Sequence, residues 1–195
     1  MKATPYHHGA LREALIAAAE TILRRDGLNA LTLRAAAREA GVSHAAPAHH
    51  FGDLTGLLTE LAAEGFRRFA ATMREARMAP DARRWEGARV YLAFARENPA
   101  LFQLMFRSDR LDGSRPSLKE ARTAVVEVLA NVTGVPTEQP TVPQLGRLVR
   151  GWSAAHGFTM LLLDGRLAPT LAAAPEGTTP EALFEAMLAS MDVPP

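Results

Sequence analysis

Apolar residues in this chain return every third or fourth position and almost never every second one, which is the spacing that lines one face of an α-helix. Leu11, Leu15, Ala18, Ala19, Ile22 and Leu23 form the first such stripe, and Gly27 stops it. Val, Ile, Thr and the aromatic residues gather in no alternating run, so no strand is expected. The pattern predicts an all-α chain of about nine helices without internal repeats. Its 195 residues are enough for a sizeable core, or for two small units that share helices.

Thr32 is a good N-cap for a second, short helix over 33–40, with Leu33, Ala36, Ala37 and Ala40 inward and Gly41 as its stop. Ser43 is expected to cap a third helix from His44 to about Phe51, with Pro47 near the first turn, where a missing N–H costs little. Asp53 caps a longer fourth helix, striped by Leu54, Leu57, Leu58, Leu61, Gly65, Phe69 and Met73. Trp85, Ala88, Leu92 and Ala95 mark a fifth, which ends before Asn98–Pro99 because a residue preceding proline resists the helical conformation. Leu101, Leu104, Met105 and Phe106 make a brief sixth, and Leu118, Ala121, Val125, Val128, Leu129 and Val132 a seventh. The eighth, about Pro143 to Leu163, is the most apolar. One face carries Leu145, Leu148, Val149, Trp152, His156, Thr159 and Leu163, the other Gly146, Arg150, Ser153, Gly157, Met160 and Leu161. Two such faces, both buried, suit the centre of a bundle. Thr178 and Glu181 have capping-box spacing and open a last helix carrying Leu183, Phe184, Met187, Leu188 and Met191.

Several function classes drop out. The chain has no cysteine, which removes disulfides, thiol catalysis and Cys-based zinc sites and agrees with a reducing cytosol. The N-terminus lacks the apolar stretch of a signal peptide, and charges interrupt every apolar run before it reaches bilayer length, so a cytoplasmic protein with no membrane partner is expected. A net charge of +1 says little about partners. Cations cluster at Arg24–Arg25, Arg67–Arg68, Arg74, Arg77 and Arg83–Arg84, while the last third holds only Arg147, Arg150 and Arg166. That field helps nucleic-acid binding modestly. An enzyme would need a nucleophile with a base, paired carboxylates or a phosphate-binding glycine loop. Ser153 and His156 share a helix without a third, orienting residue, so no catalytic site is expected. The pairs His7–His8 and His49–His50 are adjacent in sequence and leave a helix in different directions, so neither a metal nor another cofactor is expected.

Two short helices joined by "AGVS" (40–43) read as a helix-turn-helix: a small residue, a glycine turn, an apolar valine and a capping serine. In that motif the second helix enters the DNA major groove with its N-terminal part against base edges. Ala45, Ala46 and Ala48 would let it sit deep, an alanine methyl can touch a thymine methyl, and His44 and His49 offer hydrogen bonds to bases or phosphates. Amides near Ser43 add an anion site. The same pattern also describes a plain αα-corner that meets no DNA.

The residues around the turn resemble the DNA-binding domain of the TetR family of transcriptional repressors. The match runs through the first helix, "GLNALTLR", "AGVS", the His50–Phe51 ending and the Leu-rich helix beyond. The rest is similar to a C-terminal regulatory domain of that family named for a Trp-His-Gly signature. "FARENPALFQLMF" and "GWSAAHGFTMLLLDG" fit it, with Trp152, His156 and Gly157 in place. The resemblance implies an arm over 1–8, a DNA-binding domain over 9–69 with its helix-turn-helix at about 32–51, and a regulatory and dimerisation domain over 70–195. It implies a homodimer paired through the last two helices on a palindromic double-stranded DNA operator, and a repressor released by a small molecule. Thr32 and His50 would meet phosphates, Ser43, His44, Ala45, Ala46 and His49 the groove, with Arg34 a further DNA contact. Members often carry Tyr where this chain has Ala48 and Lys where it has Leu54, both backbone contacts, so phosphate anchoring should weaken here. Lys2, His7 and His8 of the arm would compensate.

Phe94, Phe102, Met105, Trp152 and Met160 could line an effector pocket, and each would serve equally as core. Phe102, Met105, Trp152 and His156 rank first because they flank the two regulatory-domain signatures. His156 reads either as a satisfied buried histidine or as a ligand's hydrogen-bond partner. Such a pocket would suit a hydrophobic or amphipathic effector. The alternative function is an all-α ligand-binding or protein-interaction dimer that has lost operator binding, as Ala48 and Leu54 would allow.

Overall fold

The computed structural model of the chain describes residues 7–78 and 85–191. These hold ten α-helices and no strand: α1 (His7–Asp26), α2 (Leu33–Glu39), α3 (Ala46–Phe51), α4 (Leu54–Met78), α5 (Glu86–Glu97), α6 (Pro99–Met105), α7 (Pro116–Thr133), α8 (Val142–Leu163), α9 (Ala168–Ala172) and α10 (Pro180–Ser190). The helix beyond the expected nine is α9, whose five residues are too few to show a period. No described helix is long and apolar enough to cross a membrane. The expected arm with Lys2 lies outside the described residues, except that His7 and His8 begin α1.

The chain divides into two compact units, Met1–Thr72 with Glu97–Glu127 and Met73–Arg96 with Val128–Pro195. In the first, the α1 stripe of Leu15, Ala18, Ala19, Ile22 and Leu23 is buried with Ala36 and Ala37 of α2 and with Leu57, Leu58, Leu61 and Phe69 of α4. In the first unit α6 and the loop after it belong with α4. A Cβ on Gly65 would stand 2.8 Å from Met105 Sδ and 3.2 Å from Leu101 Cδ1, so an added methyl would have to displace these α6 side chains. Phe66 and Phe106 meet edge to face, with centroids 5.5 Å apart. These partners stand some 40 residues apart, beyond the reach of any helical period.

In the second unit Tyr91, Leu92, Phe94 and Ala95 of α5 are buried with Val128, Phe158, Phe184 and Leu188. Phe158 of α8 stacks on Phe184 of α10 at 4.8 Å between centroids. The expectation that both faces of α8 are buried does not hold within one chain. Ala155, Phe158 and Thr159 are its buried residues, whereas Val142 is 82% and Val149 49% exposed. Leu145, Val149 and Trp152 of the first expected face and Leu161 of the second are among its exposed residues. The capping box expected at Thr178 is also displaced: Thr179 is the N-cap of α10, its hydroxyl accepting from Ala182 N–H at 3.1 Å, while Thr178 donates to the Pro175 carbonyl.

Candidate nucleic-acid interface and the cavity of the second unit

Thr32 begins the interface as expected, its hydroxyl oxygen accepting from Ala35 N–H at 3.0 Å to cap α2. The helix ends on Gly41 at φ +67, with Gly41 N–H bonded to the Arg38 carbonyl and Val42 N–H to that of Ala37. This Schellman closure needs a left-handed residue at that one position, which is why the turn carries glycine. Ser43 does not cap the next helix. Residues 43–45 form a turn in which Ser43 O accepts from Ala46 N–H, and α3 begins at Ala46 with no side-chain cap. Pro47 at the N-terminal end of α3 favours that later start, since it prefers the first turn, where its missing donor is not needed.

Six residues are too few for a helix to stand alone. Buried Pro47 and Phe51, the latter 1% exposed, fasten α3 to its unit. Burial of a phenylalanine contributes about 2–3 kcal/mol. The opposite surface carries Ser43, His44, Ala45, Ala48 and His49, all exposed, with Ala46 and His50 half-buried beside them. Thr32 and Arg34 are exposed on α2. Arg38, which the sequence reading passed over, is exposed too, and among the described residues neither Arg34 nor Arg38 has an ion pair. Leu54 is half-buried at the start of α4, which Asp53 caps by accepting from Gly56 N–H at 2.7 Å.

A polar cluster that no motif signals fixes α3 from behind. The Arg115 guanidinium donates to the Phe51 carbonyl at 2.7 Å, at the C-terminal end of α3. Glu60 of α4, only 8% exposed, is ion-paired with Arg12 of α1 and accepts from Ser117 Oγ of α7 at 2.7 Å. Thr59, wholly buried, accepts from Asp112 N–H at 2.9 Å. Thr59 and Glu60 interrupt an apolar stripe, which is the one trace of this cluster in the sequence. Buried polar groups of this kind need partners, and three helices and a loop supply them here.

The second unit holds a cavity of about 430 Å³, within the range of small-molecule sites. Met73, Trp85, Tyr91, Leu129, Val132, Leu148 and Trp152 give it an apolar wall, and Glu86, Thr133, Arg147 and Arg150 a polar edge. Trp85 holds φ +66, a conformation that costs a bulky residue about 1–2 kcal/mol. The four residues expected to bind an effector do not meet here. Phe102 and Met105 are wholly buried in the first unit, Met105 against Gly65 of α4, and only Trp152 is among the described residues of the wall. His156 is bonded behind it: the Tyr91 hydroxyl lies 2.7 Å from His156 Nδ1. Burial pushes the Tyr91 phenol well above its ordinary range against the opposing effect of Trp152, and burial lowers His156 from 6.5. Both groups are therefore neutral at pH 7, and the Tyr91 hydroxyl and His156 Nδ1 satisfy each other. Tyr91, Trp85 and the two arginines are cavity residues that sequence reasoning missed.

Two family models cover the chain: bacterial regulatory proteins of the tetR family over residues 15–61, and the tetracyclin repressor-like C-terminal domain over 86–191. No curated protein sequence matches significantly. A solved protein of unknown function from Rhodococcus sp. RHA1 is 32% identical over 96% of each chain, with a TM-score of 0.73. A candidate regulatory protein is 24% identical, covering 99% of this chain and 100% of its own, with a TM-score of 0.76. The multidrug binding protein EbrR, solved with ethidium, shares the fold at 21% identity over 94% of this chain and 99% of its own, with a TM-score of 0.55. The helix-turn-helix lies within the first of these models and Trp152, His156 and Gly157 within the second, and the chain belongs to the TetR family as a DNA-binding transcriptional regulator that is not an enzyme.

Proposed function

We propose that this regulator is a repressor that binds a palindromic operator as a homodimer in the cytoplasm and responds to a small molecule. The observation that carries the reading is the division of α3 and its preceding turn into a buried side, Pro47 and Phe51, and an exposed side of small and histidine residues. An exposed side of that kind meets base edges, with Thr32, Arg34 and His50 at phosphates. Dimerisation is supported by the apolar face that α8 leaves open, Val142, Leu145 and Val149, and by the exposed alanines Ala182, Ala186 and Ala189 of α10. A self-complementary pairing of these faces gives two-fold symmetry and hence two half-sites. The effector reading is supported by the cavity of the second unit and by the ethidium complex of EbrR, a protein of the same fold.

The second reading is a ligand-binding dimer without an operator, and Ala48 and Leu54 favour it. Selection of bound duplexes from a random DNA pool, followed by titrations at several salt concentrations, separates the two. An enriched palindrome bound with two-fold symmetry supports the repressor, and Leu54→Lys then steepens the salt dependence by about 0.9 in the log–log slope. No enrichment, with Ala48→Tyr and Leu54→Lys equally inert, establishes the second reading.

A further inference from the structure

The polar groups around the cavity of the second unit are not equally available to a ligand. The Thr133 hydroxyl donates to the Leu129 carbonyl at 2.8 Å, and the Tyr91 hydroxyl is occupied by His156. Glu86 is paired with Arg89 at 3.4 Å. Arg147 and Arg150, nearly one turn apart on α8, have no ion pair or hydrogen bond among the described residues. They are also two of the three cations in the last third of the chain, a stretch otherwise acidic at Glu138, Asp164, Glu176, Glu181, Glu185 and Asp192. Scattered surface charge would not place two of three such residues at one cavity edge. Both are exposed, so they stand where a charged head group would keep part of its hydration while the body of the molecule enters among Trp85, Leu129 and Val132.

We propose that the cavity takes an amphipathic organic anion, an aromatic or aliphatic body bearing one carboxylate, with the carboxylate on Arg147 and Arg150. Guanidinium groups suit this role because they stay charged and offer paired donors that match the two oxygens of a carboxylate. This inference rests on the reading of the cavity as the effector site.

The chain's two tryptophans, Trp85 and Trp152, both line the cavity, so intrinsic fluorescence reports its occupancy directly. The full-length protein is titrated with naphthoate, naphthamide and naphthylmethylamine, and with dodecanoate, dodecanamide and dodecylamine. The expected result is saturable binding in which a carboxylate exceeds its own amide and amine by about tenfold or more, as a charge-assisted hydrogen bond implies. The double variant Arg147→Gln, Arg150→Gln should erase that preference while leaving the amide's affinity unchanged. An amide or amine that binds as tightly as its carboxylate, or a preference that survives in the double variant, overturns the anion and leaves the effector cavity standing. If none of the six compounds alters the fluorescence, the effector cavity itself is overturned, and the anion with it.

Discussion

Gly56→Ala sets two physical effects of opposite sign against each other. Gly56 is buried near the start of α4, where glycine is the poorer helix former, and alanine there should by propensity alone add about 1 kcal/mol. The structure predicts the reverse. A Cβ at this position would overlap the Phe51 carbonyl oxygen and also the Arg115 guanidinium that donates to it. The oxygen is backbone and cannot swing aside, so the C-terminal end of α3 must shift or α4 must give way. Overpacking of this kind costs about 1–3 kcal/mol, and loss of the Arg115 bond to a carbonyl a further 1.5–3 kcal/mol or so. Allowing for the propensity gain, the net loss is about 1.5–5 kcal/mol, or roughly 3–20 °C in Tm for a chain of this size. Urea and thermal unfolding measure the loss, and titration of a selected operator well below the transition measures whether α3 has moved. A variant as stable as the parent, or stabler, with unaltered DNA affinity would refute the close approach of α3, α4 and Arg115.

The two threonines before α10 are told apart by Thr179→Ala, expected to cost about 1 kcal/mol by urea unfolding, and Thr178→Ala, expected to leave the cap intact; equal effects would count against the Thr179 cap. His156 gives a pH signature. Its folded pKa lies below its ordinary 6.5, so the unfolded chain binds the extra proton. Its contribution to stability is complete above about pH 6.5 and is lost as pH falls through the folded value, so Tm followed from about pH 8 to about pH 5 should fall less steeply in His156→Gln than in the parent. Tyr91→Phe leaves His156 Nδ1 without its partner and should cost about 1–3 kcal/mol in urea unfolding; a neutral result would refute that hydrogen bond.

Much of the fold was legible because it is locally encoded. Thr32, Gly41, Asp53 and Pro99 set helix ends through atoms a few residues away, and the stripe of α1 repeats with the period of the helix that buries it. The helix-turn-helix belongs with these, since its turn is fixed by one glycine and two backbone bonds within six residues. At Ser43 against Pro47 and at Thr178 against Thr179 local rules offer near-equal choices, and the fold takes the second of each. Tertiary structure alone decided the rest. Phe102 and Met105 look like pocket residues by type, but both are wholly buried in the first unit, Met105 against Gly65. The cluster of Arg12, Glu60, Arg115 and Ser117 joins side chains separated by as many as 105 positions, from α1 to α7, and the cavity joins α5, α7 and α8. Hydrogen bonds and side-chain packing act over a few ångströms whatever the separation along the chain, while helical periodicity carries information only over a few turns. The sequence could therefore determine which residues form helices and where the recognition turn lies, but not which distant side chains would share a buried carboxylate or face a common cavity.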